Sequence, residues 1–220
     1  MDISYLGHAS FRIKSKTGVV VTDPYDASIG LSVVNTSADI VTVSHGHSDH
    51  NNIKSVAGTA RRDNPFVITE PGEYEIEGVS VFGYKTYHDS KGGAERGENI
   101  VFVIQAEGVR IVHLGDLGHR LEERLVEKLD GVDILMIPIG GVYTIDAKVA
   151  LETIETIGPS VVMPMHYKTP AHDNKMFGEL TGLDEFVTLY GADVREITDG
   201  KYSVNRVSIS EDTTEVVVFK

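Results

Sequence analysis

Ile40-Val41-Thr42-Val43-Ser44-His45-Gly46-His47-Ser48-Asp49-His50 is the stretch on which the reading of this chain turns. A short apolar, β-branched run leads into three imidazoles and a carboxylate within six positions. Neutral imidazole and carboxylate are ligands for zinc, and also for manganese or iron. The histidines stand at i, i+2 and i+5, whereas a helical metal motif places them four apart on one face. The spacing predicts a buried strand, Ile40–Val43, that ends and turns into a helix capped by Ser48 or Asp49. His45 and His47 then project from the strand end, with Asp49 and His50 in the first helical turn. One such loop can serve two adjacent metal ions.

Composition bounds what surrounds that loop. With 220 residues, 41% hydrophobic and 24% charged, the chain is long enough for one well-buried globular domain over 1–220. No apolar run nears the ~20 residues of a membrane span. The opening Met1-Asp2-Ile3-Ser4 lacks the basic start and apolar stretch of a secretory signal, so the cytoplasm is the expected compartment. Cysteine is absent. Disulfides, thiolate nucleophiles and Cys-based zinc sites are therefore excluded, and any metal must rest on His, Asp and Glu, as in catalytic sites more often than structural ones. The net charge of −13, with only short basic segments such as Arg61-Arg62 and Lys14-Ser15-Lys16, argues against a sequence-independent grip on nucleic acid. Bound cations would create a local positive site, so a small anionic substrate stays open. Nothing in the sequence marks an oligomer interface.

Short strand patterns alternate with a few helices. Asp2–Gly7, Ser10–Ile13 and Val19–Thr22 read as opening strands, and Pro65–Ile68, Glu73–Ile76 and Val79–Tyr84 as further ones joined by Pro-Gly and Glu-Gly turns. Asn99–Gln105 and Val109–Leu114 read as a hairpin across Glu107-Gly108. Leu121–Leu129 and Asp146–Ile157 have helical periodicity, with Ala147, Ala150, Leu151, Ile154 and Ile157 on one face of the second. Asp133–Ile137 and Val161–Met163 are buried strands, Leu183–Tyr190 is helical, and Tyr202–Val204, Val207–Ile209 and Glu215–Phe219 close the chain as strands. Asp89–Glu98 reads as a flexible loop. The remaining candidate ligands recur at strand ends: His88 after the Val79–Tyr87 pattern, Asp116 in His113-Leu114-Gly115-Asp116, and His166 in Met163-Pro164-Met165-His166. That is where a layered α/β fold puts its functional loops.

On these motifs the chain resembles the metallo-β-lactamase-fold metal-dependent hydrolases over essentially its whole length. His45, His47, Asp49 and His50 match the family's His-x-His-x-Asp-His. His88, the Gly115-Asp116 pair and His166 match its later positions. Leu6-Gly7-His8-Ala9-Ser10, Asp23-Pro24 and Pro164-Met165-His166 are more similar to the branch with ascorbate-6-phosphate lactonase and the N-acylphosphatidylethanolamine phospholipases D. The resemblance implies a four-layer αββα sandwich of the α+β or α/β class. It implies one metal on His45, His47 and His88 and a second on Asp49, His50 and His166, with Asp116 bridging and Asp49 also orienting the nucleophile. Two cations about 3.5–4 Å apart, most simply Zn2+ with Mn2+ or Fe2+ as alternatives, can share a hydroxide that attacks a small ester, lactone or phosphodiester. His47 stands where flavo-diiron proteins resemble His-x-Glu-x-Asp-His, which favours hydrolysis. The fold's RNA-processing nucleases resemble the same core, but this chain lacks room for an RNA-clamping insertion and carries the wrong charge. Two alternatives are a phosphodiesterase or nuclease acting on nucleotides, and a non-catalytic metal-binding scaffold.

Several residues carry two readings each. Asp23 orients a ligand histidine from behind or simply forms a turn before Pro24. His8 supports the pocket or is a satisfied structural histidine. His113 stands behind the site or is packed in the core, His119 transfers protons or is exposed, and His172, after Pro170, is expected to face solvent. Gly140-Gly141-Val142-Tyr143-Thr144 is a pocket rim or a plain connection.

Overall fold

The computed structural model describes residues 1–33, 35–210 and 212–220. In chain order its strands are β1 (Asp2–Gly7), β2 (Ser10–Lys14), β3 (Val19–Thr22), β4 (Thr36–Ser37), β5 (Ile40–Thr42), β6 (Val56–Ala57), β7 (Phe66–Ile68), β8 (Gly72–Ile76), β9 (Val79–Tyr87), β10 (Glu98–Ala106) and β11 (Val109–His113). Helix α1 (Glu123–Lys128), β12 (Ile134–Pro138), α2 (Ala147–Ile157), β13 (Val161–Met165), α3 (Asn174–Phe177), α4 (Leu183–Tyr190), β14 (Val194–Ile197), β15 (Tyr202–Ser203) and β16 (Glu215–Phe219) follow. A six-stranded sheet runs β15-β1-β2-β3-β5-β7, and an eight-stranded sheet runs β14-β16-β13-β12-β11-β10-β9-β8.

The two sheets pack face to face. Ile3, Phe11 and Ile13 of the first meet Val81, Phe102, Ile111, Ile134 and Met163 of the second in one buried cluster. The outward face of the larger sheet, with Val101, Val112 and Leu135, is covered by Ala147, Ala150 and Ile154 of α2 and Phe186 of α4. Coverage on both faces is why β10 and β12 are apolar at nearly every position rather than at alternate ones. On the outer side of the smaller sheet the cover is thin: Val19, Val21, Val41 and Val43 lie under Val56 and Ile53, the latter in a single 3-10 turn, Ile53–Ser55. This is the αββα sandwich in its layered sense, with one outer layer reduced.

Helix α2 begins and ends as its sequence dictates. The Asp146 side chain accepts the Val149 N–H at 2.9 Å, and Gly158 closes the helix at φ 65°. Pro164 is accommodated inside β13 because β16 pairs with β13 only at Val161 and Val162, so no ladder donor is needed further along that edge.

Three expectations are corrected, and one strand was not foreseen. No α-helix starts at Ser48 or Asp49: residues 48–50 form a turn, in which the His50 N–H donates to the His47 carbonyl at 3.0 Å, and only the 3-10 turn Ile53–Ser55 comes after it. A loop that must converge on other side chains cannot also propagate a helix. Val207–Ile209 is not a strand, since Arg206–Ser208 is a 3-10 turn capped by the Asn205 side chain, a local bond that competes with pairing. The segment 89–98 is not a loose loop but a set of turns gathered on Asp89. The edge strand β14, with its half-exposed Val194-Arg195-Glu196-Ile197, carries no alternation strong enough to be read in advance.

Candidate metal centre

β1, β3, β5, β9, β11 and β13 all point their C-terminal ends at one edge of the sandwich, as their parallel and doubly antiparallel pairings require. The candidate residues follow those ends: His8 after β1, Asp23 after β3, His45–His50 after β5, His88 after β9, Asp116 after β11 and His166 after β13. This is the edge where ligands bind in α/β sheets. Backbone strain gathers there as well. His8, Asp23 and His166 have φ values of 55°, 38° and 51°. Left-handed non-glycine backbone costs on the order of 1–3 kcal/mol per residue and persists where surrounding structure enforces it. The His166 N–H donates to the His8 carbonyl at 2.8 Å, which stitches the two sheets together at the site.

The side chains converge in two groups. Ligand atoms of His45, His47 and His88 lie within 4.8 Å of one another, as do those of His8, Asp49, His50 and His166. Asp116 stands between them. Its Oδ2 is 3.2 Å from His88 Nε2, 3.1 Å from His166 Nε2, 3.3 Å from His50 Nε2 and 3.9 Å from His45 Nε2. Burial opposes ionisation of Asp116, yet His166 and His50 hold its pKa well below the usual carboxylate range. His50 is the counterpart: burial disfavours its charge, but Asp116, Asp23 and Asp49 raise its pKa well above the ordinary imidazole value. Burial takes His45 the other way, to about 3, which keeps its ring neutral.

Six buried atoms in this cluster make no hydrogen bond among the described residues: His88 Nδ1, His166 Nδ1 and, gathered about Asp116, His45 Nε2, His50 Nε2, His166 Nε2 and its own Oδ1. Each such orphan costs about 1–3 kcal/mol. Three imidazole nitrogens and a carboxylate oxygen left bare around one point are the donor set of divalent metal ions, so the residues fit the group that the sequence motif implies.

The next layer sets the tautomers. His50 Nδ1 donates to Asp23 Oδ2 at 2.9 Å, which turns Nε2 towards the cluster. Asp23 also takes the Ser44 N–H at 2.7 Å and the Ser44 hydroxyl at 2.5 Å. With its proton spent, Ser44 Oγ accepts His45 Nδ1–H at 3.0 Å, and His45 Nε2 is likewise left bare. A longer chain reaches Asp49. The Thr169 N–H, which can only donate, meets His172 Nδ1 at 3.0 Å. His172 therefore carries its proton on Nε2, 3.3 Å from His8 Nδ1, and His8 carries its own on Nε2, 3.2 Å from Asp49 Oδ2. Burial lowers the pKa of His8 to about 3 and of His172 to about 4, so both rings are neutral.

The structure thus brings His45, His47, Asp49, His50, His88, Asp116 and His166 into one cluster. His172 is corrected: it is buried, not solvent-facing, because its loop folds back over His8. His113 is buried behind the cluster with Nε2 on the Ala9 carbonyl at 2.7 Å. His119 stays apart from it, with Nδ1 donating to the Arg120 carbonyl and Nε2 accepting the Tyr87 N–H. Sequence reasoning missed Ser44, Asn99, Asp89 and Thr169. Asn99 Oδ1 accepts the Asp116 N–H at 2.9 Å while its amide donates to Thr86 Oγ1 and the Leu114 carbonyl. A Cβ on Gly115 would lie 2.4 Å from Asn99 Oδ1 and 2.6 Å from Ser44 Cβ, so the Gly-Asp pair is a packing requirement. Asp89 accepts N–H bonds from Lys91, Gly93, Glu95 and Arg96.

A cavity of about 560 Å³ opens over the cluster, with His47, Asp49, His88 and Asp116 in its floor and Arg96, Tyr143, Lys175, Met176 and Phe177 around it. Tyr143 belongs to the Gly140–Thr144 segment, where Val142 is held at φ 58°.

With this geometry in place, comparison supplies the lineage. The profile of the Beta-lactamase superfamily domain matches residues 2–166, three-quarters of the chain, which belongs to that superfamily. It is 30% identical to a UPF0173 metal-dependent hydrolase of Carboxydothermus hydrogenoformans, across 77% of this chain and 85% of that one. It is 31% identical to the UPF0173 metal-dependent hydrolase of Thermoplasma acidophilum, across 77% and 84%. A crystal structure from Thermotoga maritima, provisionally described as a Zn-dependent hydrolase of the metallo-beta-lactamase superfamily, superposes with a TM-score of 0.79 at 34% identity, covering 100% of this chain and 99% of that one.

Proposed function

We propose that the chain is a metal-dependent hydrolase whose centre holds two divalent cations, zinc foremost, and acts on a small ester, lactone or phosphodiester. The observation that carries this reading is Asp116, an ionised buried carboxylate between two groups of imidazoles, of which His45, His50 and His166 leave Nε2 bare. The names of the relatives and the description of the Thermotoga protein support it. His45, His47 and His88 would hold one ion, and Asp49, His50 and His166 the other, with Asp116 shared. A bound pair of such ions supplies an acidified water and a Lewis acid for the oxygen on which charge develops.

The chain's own residues do the positioning. Asp23 and Ser44 hold Nδ1 of His50 and His45, so that Nε2 of each ring faces the cluster. His8 fixes Asp49 Oδ2, which leaves Oδ1 to orient a water proton at the cavity floor. Asn99 fixes the backbone of Asp116. The cavity has the size of a small-ligand site.

The test is metal content and turnover together. Purified protein is expected to hold about two equivalents of metal per chain, with less in Asp116→Asn and His166→Ala. The wild type is expected to hydrolyse at least one member of a panel of lactones, 4-nitrophenyl esters and bis(4-nitrophenyl) phosphate. Protein that retains no metal after reconstitution would sink the reading.

A further inference from the structure

On the reading of a hydrolytic centre just given, we infer that Arg96 and Lys175 form a subsite for an oxyanion of the substrate, a carboxylate or phosphate set apart from the bond that is cleaved. Both side chains line the same cavity as Asp49 and Asp116. In a chain of net charge −13, neither forms an ion pair among the described residues, so both charges are open to a ligand in the cavity. Two unmatched cations at the mouth of one cavity attract and orient an anion.

Arg96 is also tied to the segment that carries Lys175. The Arg96 N–H donates to the Asp89 carboxylate at 2.8 Å, and the Arg96 guanidinium lies 5.6 Å from the centre of the Tyr143 ring. Tyr143 donates its hydroxyl proton to the Met176 carbonyl at 2.8 Å, beside Lys175. A guanidinium set over a ring face keeps its N–H edge free for two parallel bonds to an oxyanion. Met176 and Phe177 line the same cavity, the latter against His8 and His166, and suit an apolar part of the substrate. The charge also selects a side. A second cavity, of about 380 Å³, also reaches His45 and His47; Arg96 lines it too, but beside Glu70 and Glu98 and without Lys175, so the two cations meet only in the first. An anionic substrate enters over Asp49, not over Glu70.

Three 4-nitrophenyl esters share a leaving group and differ at the far end: the butyrate, the hydrogen succinate and the 3-phosphonopropanoate. Zinc-loaded wild type, Arg96→Gln, Lys175→Gln and the double variant are compared by the anionic-to-butyrate ratio of kcat/KM, with zinc content and circular dichroism as controls. That ratio is expected to be roughly tenfold or more in the wild type, the size of a charge-assisted hydrogen bond. It should fall stepwise towards one in the double variant, and the better of the two anions identifies the group. A ratio unchanged in the double variant overturns the subsite. If the wild type cleaves none of the esters, the hydrolytic reading fails for this class, and the subsite is judged separately by calorimetry on metal-free protein. There the mono-4-nitroanilide of succinate should bind more tightly than butyro-4-nitroanilide in the wild type alone. Equal binding of the two anilides, or an anion preference kept by the double variant, overturns it.

Discussion

Asp49 has one oxygen committed before any metal arrives. The commitment starts at the Thr169 N–H and passes through His172 and His8, each ring accepting on Nδ1 and donating from Nε2. Because a backbone amide cannot accept, the polarity of the whole chain is fixed at its far end. His172→Phe removes the donor to His8 and frees that ring to reverse its tautomer, which would turn a lone pair towards Asp49. The second ion is then expected to bind about 10–100-fold more weakly, as when other supporting partners of metal ligands are lost. His172→Gln can accept from Thr169 and donate to His8, and should restore most of that loss. Chelator competition on the three proteins reads the result, and equal affinity in His172→Phe would remove the chain from the account. None of this was legible in the sequence. A lone histidine after Pro170 looks like surface, and the Thr169 amide has no side-chain signature. The candidate cluster was legible because its residues are chemically scarce and crowd at strand ends.

Elements follow the same division. β5, β9, β11 and β13 were legible from apolar runs ending in His or Gly-Asp, and α2 from its face of Ala147, Ala150 and Ile154 with Asp146 and Gly158 at its ends. The turn after His50, the two-residue strands β4 and β6, and the segment 89–98 were not, since each is shaped by contacts far away in the chain or by one carboxylate. Asp89 shows how much one group can do. Bonds from four backbone amides, that of Arg96 foremost, set its pKa below the ordinary value. Asp89→Ala should leave the sheets intact while hydrogen exchange at Gly93, Glu95 and Arg96 becomes several-fold faster. Exchange as slow as in the wild type would show that the turns hold themselves. Gly118 ties the segment to the centre, because a Cβ there would meet the His88 carbonyl carbon at 2.3 Å.

On the scale of the whole molecule, the sandwich is closed at its other edge by small polar ties. Glu107, in the β10–β11 turn of the larger sheet, accepts the Lys16 N–H from the β2–β3 turn of the smaller one, and that bond lowers its pKa. A carboxylate depressed on folding stabilises above its unfolded pKa of about 4.3 and loses that effect as pH falls through the folded value. Glu107→Gln should therefore cost about 0.2–1 kcal/mol at pH 7, and nothing once both proteins are protonated well below pH 4. Urea unfolding at the two pH values checks the sign, and a gap that widened in acid would contradict it. The opposite edge has a different consequence, in time rather than energy. Its candidate ligands run from His45 to His166 and meet only when the ends of both sheets are in place. Such distant pairings form late in folding. Ions captured there would find no partial site on the nascent chain. They would slow unfolding without hastening folding, and act as a latch that closes on a finished protein.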